Sequence, residues 1–89
     1  MNQQQLGGVI DRWRGIEDDN YGMGKKLQDL WEEAYPVSPA YDDPGILSLV
    51  ELLAKEFPCQ KAQELRRGYF VEGGGLQTFG QLYDYLEQC

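Results

Sequence analysis

The chain has no histidine, only two cysteines and no long apolar run, and each absence removes a class of function. Without imidazole no side chain ionises near neutrality unless it is perturbed, so Ser-His and Cys-His nucleophiles and His-based metal sites are excluded. Two cysteines in 89 residues do not make a disulfide framework, and Cys59 and Cys89 are expected to be free thiols. No segment approaches the ~18 apolar residues of a membrane span. The opening MNQQQLGGVIDRW shows neither a basic leader nor an apolar stretch of signal-peptide length, which makes the cytosol the expected compartment and argues against membrane contact. Cations are scarce as well: 8 Lys and Arg stand against 15 Asp and Glu, a net charge of -7.

What is present is enough apolar material for one core. A hydrophobic fraction of 42% and an aromatic fraction of 12% are those of a chain that folds, and residues 1–89 form a single domain in this reading. Leu6, Val9, Ile10, Trp13 and Ile16 lie on one helical stripe; Gly7 and Gly8 weaken its start, so the expected helix is 8–16 with residues 1–6 frayed. The polar run Glu17-Asp18-Asp19-Asn20 offers caps to a second helix carrying Leu27, Leu30, Trp31 and Ala34, which ends before Pro36.

PVSPAYDD then reads as an irregular crossing. Asp43-Pro44 is an N-cap and first-turn pair opening a central helix over about 44–57, apolar around most of its circumference. Pro58 stops that helix, and a short fourth one carries Cys59, Ala62, Leu65 and Tyr69. Gly73-Gly74-Gly75 separates it from a last helix with a Thr78/Gln81 capping box and the stripe Phe79, Leu82, Tyr83, Leu86. The expected fold class is all-α, a compact bundle of four to five short helices around 44–57. Tyr69-Phe70-Val71 and Tyr35-Pro36-Val37 lean toward β and leave room for a minor hairpin.

The motifs that carry chemistry are missing. DDNYGMG lacks the ligand order of a calcium loop, and neither Gly73-Gly74-Gly75 nor Gly22-Met23-Gly24-Lys25-Lys26 has the ending of a phosphate loop. No cofactor, metal or catalytic residue is expected. The carboxylate excess repels nucleic acid and steers the chain toward basic surfaces. The leading expectation is therefore a small acidic, non-enzymatic protein that binds and modulates or inhibits a larger protein with a basic surface. A nucleic-acid-handling protein, whose nucleic-acid site this chain would occupy as a mimic, is the kind of partner that suits it. The expected partner-binding set is Asp18, Asp19, Tyr21, Glu32, Glu33, Tyr41, Asp42 and Asp43, with tyrosine rings supplying contact area beside the charges. Trp13, Trp31 and the tyrosines also suit a homodimer sharing its core.

DPGILSLVELLAKEF followed by LQTFGQLYDYLEQ resembles the second and last helices of acyl carrier proteins in rhythm, over less than half the chain. The resemblance implies a helical bundle whose second helix opens with the serine that carries a phosphopantetheine arm. Gly45-Ile46-Leu47 stand at those positions here, and Ser48 lies two places late, so the alternative is a carrier-like bundle without its prosthetic-group serine.

Overall fold

The first helix, α1, spans Gln3–Arg14, in a computed structural model that describes residues 1–18, 20–37 and 40–89. It starts earlier than the glycines suggest because Asn2 caps it, accepting a hydrogen bond from the Gln5 amide at 2.7 Å. It ends at Gly15, whose φ of 74° is left-handed and whose N–H donates to the Asp11 carbonyl. The chain turns away there, so Ile16, expected on the buried stripe, is exposed, while Leu6, Val9, Ile10 and Trp13 are buried.

Helix α2, Leu27–Ala34, buries Leu27, Leu30 and Trp31. Among the described residues no Asp or Asn side chain caps it; its N-cap is Lys26. Its first amide, on Leu27, donates to the Gln77 carbonyl at 2.9 Å, and the first amide of α5 (Phe79–Leu86), on Phe79, donates to Lys25 at 2.9 Å. The starts of the two helices thus satisfy each other through backbone, with Lys26 and Thr78 forming an isolated antiparallel bridge. No strand forms among the described residues: Tyr69 closes a 3₁₀ turn and Tyr35 ends α2, so these segments do not form the minor hairpin for which the sequence left room. The same crossing requires Gly80. A Cβ there would lie 2.7 Å from the Met23 carbonyl oxygen, which accepts the Gly80 N–H. Alanine is the better helix former by ~1 kcal/mol, but that oxygen is backbone and cannot swing aside. Gly80→Ala is therefore expected to lose about 1–2 kcal/mol in chemical denaturation.

Pro36, Val37 and Ala40 are irregular as expected, Ser38 and Pro39 lie outside the described residues, and the crossing gives way to helix earlier than the sequence suggests. Tyr41–Gly45 forms a π-helical turn, with the Gly45 amide donating to Ala40 at 3.0 Å, and runs directly into α3, Ile46–Glu56. Helical winding has already begun at Tyr41, so Asp43 is inside the turn and caps nothing. Ile46, Leu49 and Leu53 are buried, and Phe57 closes the helix before Pro58. The helix is not buried all round: Leu47 is 52% exposed, and Ser48, Val50, Leu52 and Ala54 are half-buried. Its apolar excess reflects contact on three sides, with α1, α4 and the 3₁₀ turn.

Helix α4 is a single turn, Gln60–Gln63, shorter than the spacing through Tyr69 suggests, and a 3₁₀ turn follows at Arg67–Tyr69. Gly73, at φ 92°, reverses the chain, and Gly74 packs so closely on the Gly68 and Tyr69 backbone that no side chain fits. α5 opens with the expected capping box: Gln81 N–H donates to Thr78 Oγ1, and Thr78 N–H to Gln81 Oε1, both at 3.1 Å. Phe79, Leu82 and Leu86 complete the core.

α5 packs on α4, and this returns Cys89 to the α3–α4 junction. Cys59 and Cys89, 30 residues apart in sequence, have Cα atoms 5.6 Å apart and are disulfide-bonded. The expectation of two free thiols is corrected here. Sequence separation hid the pair because only the docking of α5 brings the sulfurs together.

Candidate functional site

α2 presents two different neighbourhoods on either side of its outer face. Leu27, Leu30 and Trp31 point inward, which leaves Gln28, Asp29, Glu32 and Glu33 outward, and the 100° step between Glu32 and Glu33 sends them to opposite flanks.

The Glu33 flank is organised by a buried cation. Arg14, at the last turn of α1, is 5% exposed. Its Nε donates to the Leu30 carbonyl at 2.8 Å, one terminal nitrogen to the Tyr21 hydroxyl at 3.0 Å, and the other reaches Glu33 at 3.4 Å. The guanidinium also lies 5.5 Å from the Tyr21 ring centre. Tyr21 in turn donates its hydroxyl proton to Asp11 at 2.5 Å, and Asp11 accepts the Asp18 amide at 3.1 Å. Lys25 closes the outer edge with a 2.6 Å ion pair to Glu33. That contact lowers the Glu33 pKa and raises the Lys25 pKa, each chiefly through the hydrogen bond they share.

Of the expected partner-binding residues, Asp18, Tyr21 and Glu33 fall in this cluster, and Asp19 lies outside the described residues. Tyr21 is not the open contact residue the sequence suggested. Its ring is buried against Phe79, 5.5 Å between centres, and its hydroxyl is held at α1 by Asp11 and Arg14. Burial first, and the hydrogen bond to Asp11 second, push its hydroxyl up from 10.0 to about 12. A folded-state pKa above the unfolded one stabilises the fold fully below about pH 10, and that stability is lost as pH rises toward 12. Phenolate absorbance titration is expected to show Tyr21 ionising late, and Tyr21→Phe to flatten the alkaline fall in stability.

The Glu32 flank faces the π-helical turn. A concavity of about 250 Å³ is lined by Gln28, Ala40, Tyr41, Asp42, Asp43 and Pro44. Gln28 donates to Glu32 at 3.3 Å, which ties Glu32 to the same edge. Asp42 and Asp43 are exposed, and Asp43 pairs with Arg67 at 3.3 Å. Tyr41, like Tyr21, is a core residue: 4% exposed, its hydroxyl donates to the Phe70 carbonyl at 2.9 Å. Burial, with a smaller contribution from the Asp42 charge, raises its pKa. The structure therefore groups Asp42 and Asp43 at one concavity, ties Glu32 to its edge only through Gln28, places Asp18 and Glu33 at the other flank, and buries both tyrosine rings.

Arg14 and Asp11 went unnoticed in the sequence. Arg14 lies one position after Trp13 on α1, and the periodicity that placed it outside the apolar stripe gave no sign that Leu30 and Tyr21 would close over it. The indoles of Trp13 and Trp31 stack 5.1 Å apart inside the chain, and Trp13 Nε1 donates to the Gly45 carbonyl at 2.7 Å, so they are packed intramolecularly. Ser48 is half-buried between exposed Leu47 and buried Leu49, not on the fully exposed edge that a substitute for the prosthetic-group serine would occupy. Among the described residues no group of three or more Cys, Asp or Glu is arranged to hold a metal ion, and no helix is long and apolar enough to cross a membrane.

No protein-family model matches this chain, and no match to it was found among curated proteins or solved structures.

Proposed function

We propose that this is a non-enzymatic binding protein whose outer α2 face and π-helical turn dock on the basic surface of a larger protein. The observation that carries the reading is the charge left over on that face. Among the described residues, ion pairs occupy Glu33, Asp43 and Glu56, whereas Asp29, Glu32 and Asp42 have no cation at ion-pair distance. They sit on helical backbone, in α2 and the π-helical turn, so less backbone freedom is lost on binding than from an irregular loop. A surface that otherwise receives nucleic acid supplies the complementary charge, and blocking it is how a protein of this size would modulate its partner.

The bridge between Cys59 and Cys89 weighs against the cytosol expected from the sequence, since disulfides persist in oxidising compartments. The binding reading predicts an association that weakens with salt. Affinity capture from the source cells is expected to retain a basic protein at low ionic strength, where the Debye length is about 30 Å, and to release it as salt shortens that length to about 8 Å. Retention that ignores salt counts against the proposal.

A further inference from the structure

We infer that the Cys59–Cys89 bridge is a thiol–disulfide exchange site for a low-molecular-weight thiol, entered at Cys89. Three observations converge on it. The two sulfurs border an open concavity of about 250 Å³ whose other walls are Met1, Gln5, Glu56, Phe57 and Pro58, room for a small thiol beside the bond. The two halves of the bridge are unequal: Cys89 is exposed, while Cys59 is half-buried and packed against the core. The bond also lies beyond the elements that hold α5. Phe79, Leu82 and Leu86 are 1%, 0% and 0% exposed, and the Tyr85 hydroxyl donates to the Lys61 carbonyl at 2.7 Å. The turn from Glu87 to Cys89 is attached by backbone hydrogen bonds back to Tyr83, Tyr85 and Leu86.

The exchange follows from access. An incoming thiolate attacks Cys89 Sγ in line with the existing bond. A new sulfur–sulfur bond forms to Cys89, the Cys89–Cys59 bond breaks, and its electron pair leaves on Cys59 as a thiolate that takes a proton from water. A second thiol then resolves the mixed disulfide, giving two protein thiols and one small-molecule disulfide. Alternatively, the Cys59 thiolate returns to Cys89 and expels the first thiol. In either direction α5 stays docked, and the movement is confined to residues 87–89 and the Pro58–Gln60 corner. The inference is independent of the acidic-face reading, because neither cysteine lies on α2 or the π-helical turn.

The test uses the whole chain purified without reductant. It is incubated with glutathione, trapped with an alkylating reagent and mapped by peptide mass, with far-ultraviolet circular dichroism recorded in parallel. The expected intermediate carries glutathione on Cys89 and the alkyl group on Cys59, with the helical signal unchanged. With glutathione disulfide as donor, Cys59→Ser is expected to be modified several times faster than Cys89→Ser. Two free thiols in the purified protein, an adduct mainly on Cys59, or loss of the helical signal on reduction would each overturn the inference.

Discussion

Arg14→Ala is expected to lower the unfolding free energy by about 2–4 kcal/mol, an effect out of proportion to a single surface-type residue. The side chain is 5% exposed and serves three acceptors at once, the Leu30 carbonyl, the Tyr21 hydroxyl and Glu33. Removing it leaves the Leu30 carbonyl, midway along α2, with one partner fewer and takes the cation away from Glu33 and the Tyr21 hydroxyl. Arg14→Lys keeps the charge but cannot reach acceptors on diverging directions from one nitrogen, so it is expected to recover less than half of the loss. Urea denaturation of the three proteins, with an unchanged slope, checks this. A loss under about 1 kcal/mol would show that the cluster is ornamental to the fold.

Leu53→Ala is expected to cost about 3 kcal/mol, whereas Leu47→Ala, six residues earlier on the same helix, should cost well under 1 kcal/mol. Leu53 is fully buried and Leu47 is 52% exposed, so the first substitution opens a cavity in the core while the second removes a side chain already half in water. The pair separates the observed one-sided burial of α3 from the all-round burial that its composition suggests. Equal losses at the two positions would restore the latter.

The helices were legible in the sequence because their apolar spacing and stop signals are local. Leu27, Leu30, Trp31 and Ala34 mark α2, Pro58 ends α3, and the Thr78/Gln81 box starts α5 where it should. What local spacing could not show is who satisfies the helix ends. Asp and Asn before α2 looked like its caps, yet Asp18 hydrogen-bonds back to α1 through Asp11, and α2 is capped by the backbone of Gln77, fifty residues away. The π-helical turn was missed for a related reason. Asp43-Pro44 has the chemistry of a helix start, and only the Gly45-to-Ala40 hydrogen bond reveals winding that began at Tyr41.

The candidate site divided along the same line. The exposure of Asp42, Asp43 and Glu33 follows from charge, and the sequence reading located it. The tyrosines were misjudged, since a ring off the helical stripes looks free until tertiary contacts enclose it, as Phe79 and Arg14 do with Tyr21 and the Phe70 carbonyl does with Tyr41. Arg14 is the converse case, a cation that composition assigns to solvent and tertiary packing encloses.

The claim that one face of this acidic molecule is its binding surface is tested most directly by moving the charge without changing its sum. In one variant Asp29, Glu32 and Asp42 are replaced by lysine; in a second, the exposed carboxylates Glu64, Glu72 and Asp84, which belong to neither α2 nor the π-helical turn, are replaced in the same way, so the two proteins have equal net charge. Association rates with the captured basic partner are then measured for both. The expected result is near-complete loss of binding in the first variant and a modest slowing in the second. Equal loss in both would show that overall charge, and not the α2 face, does the binding.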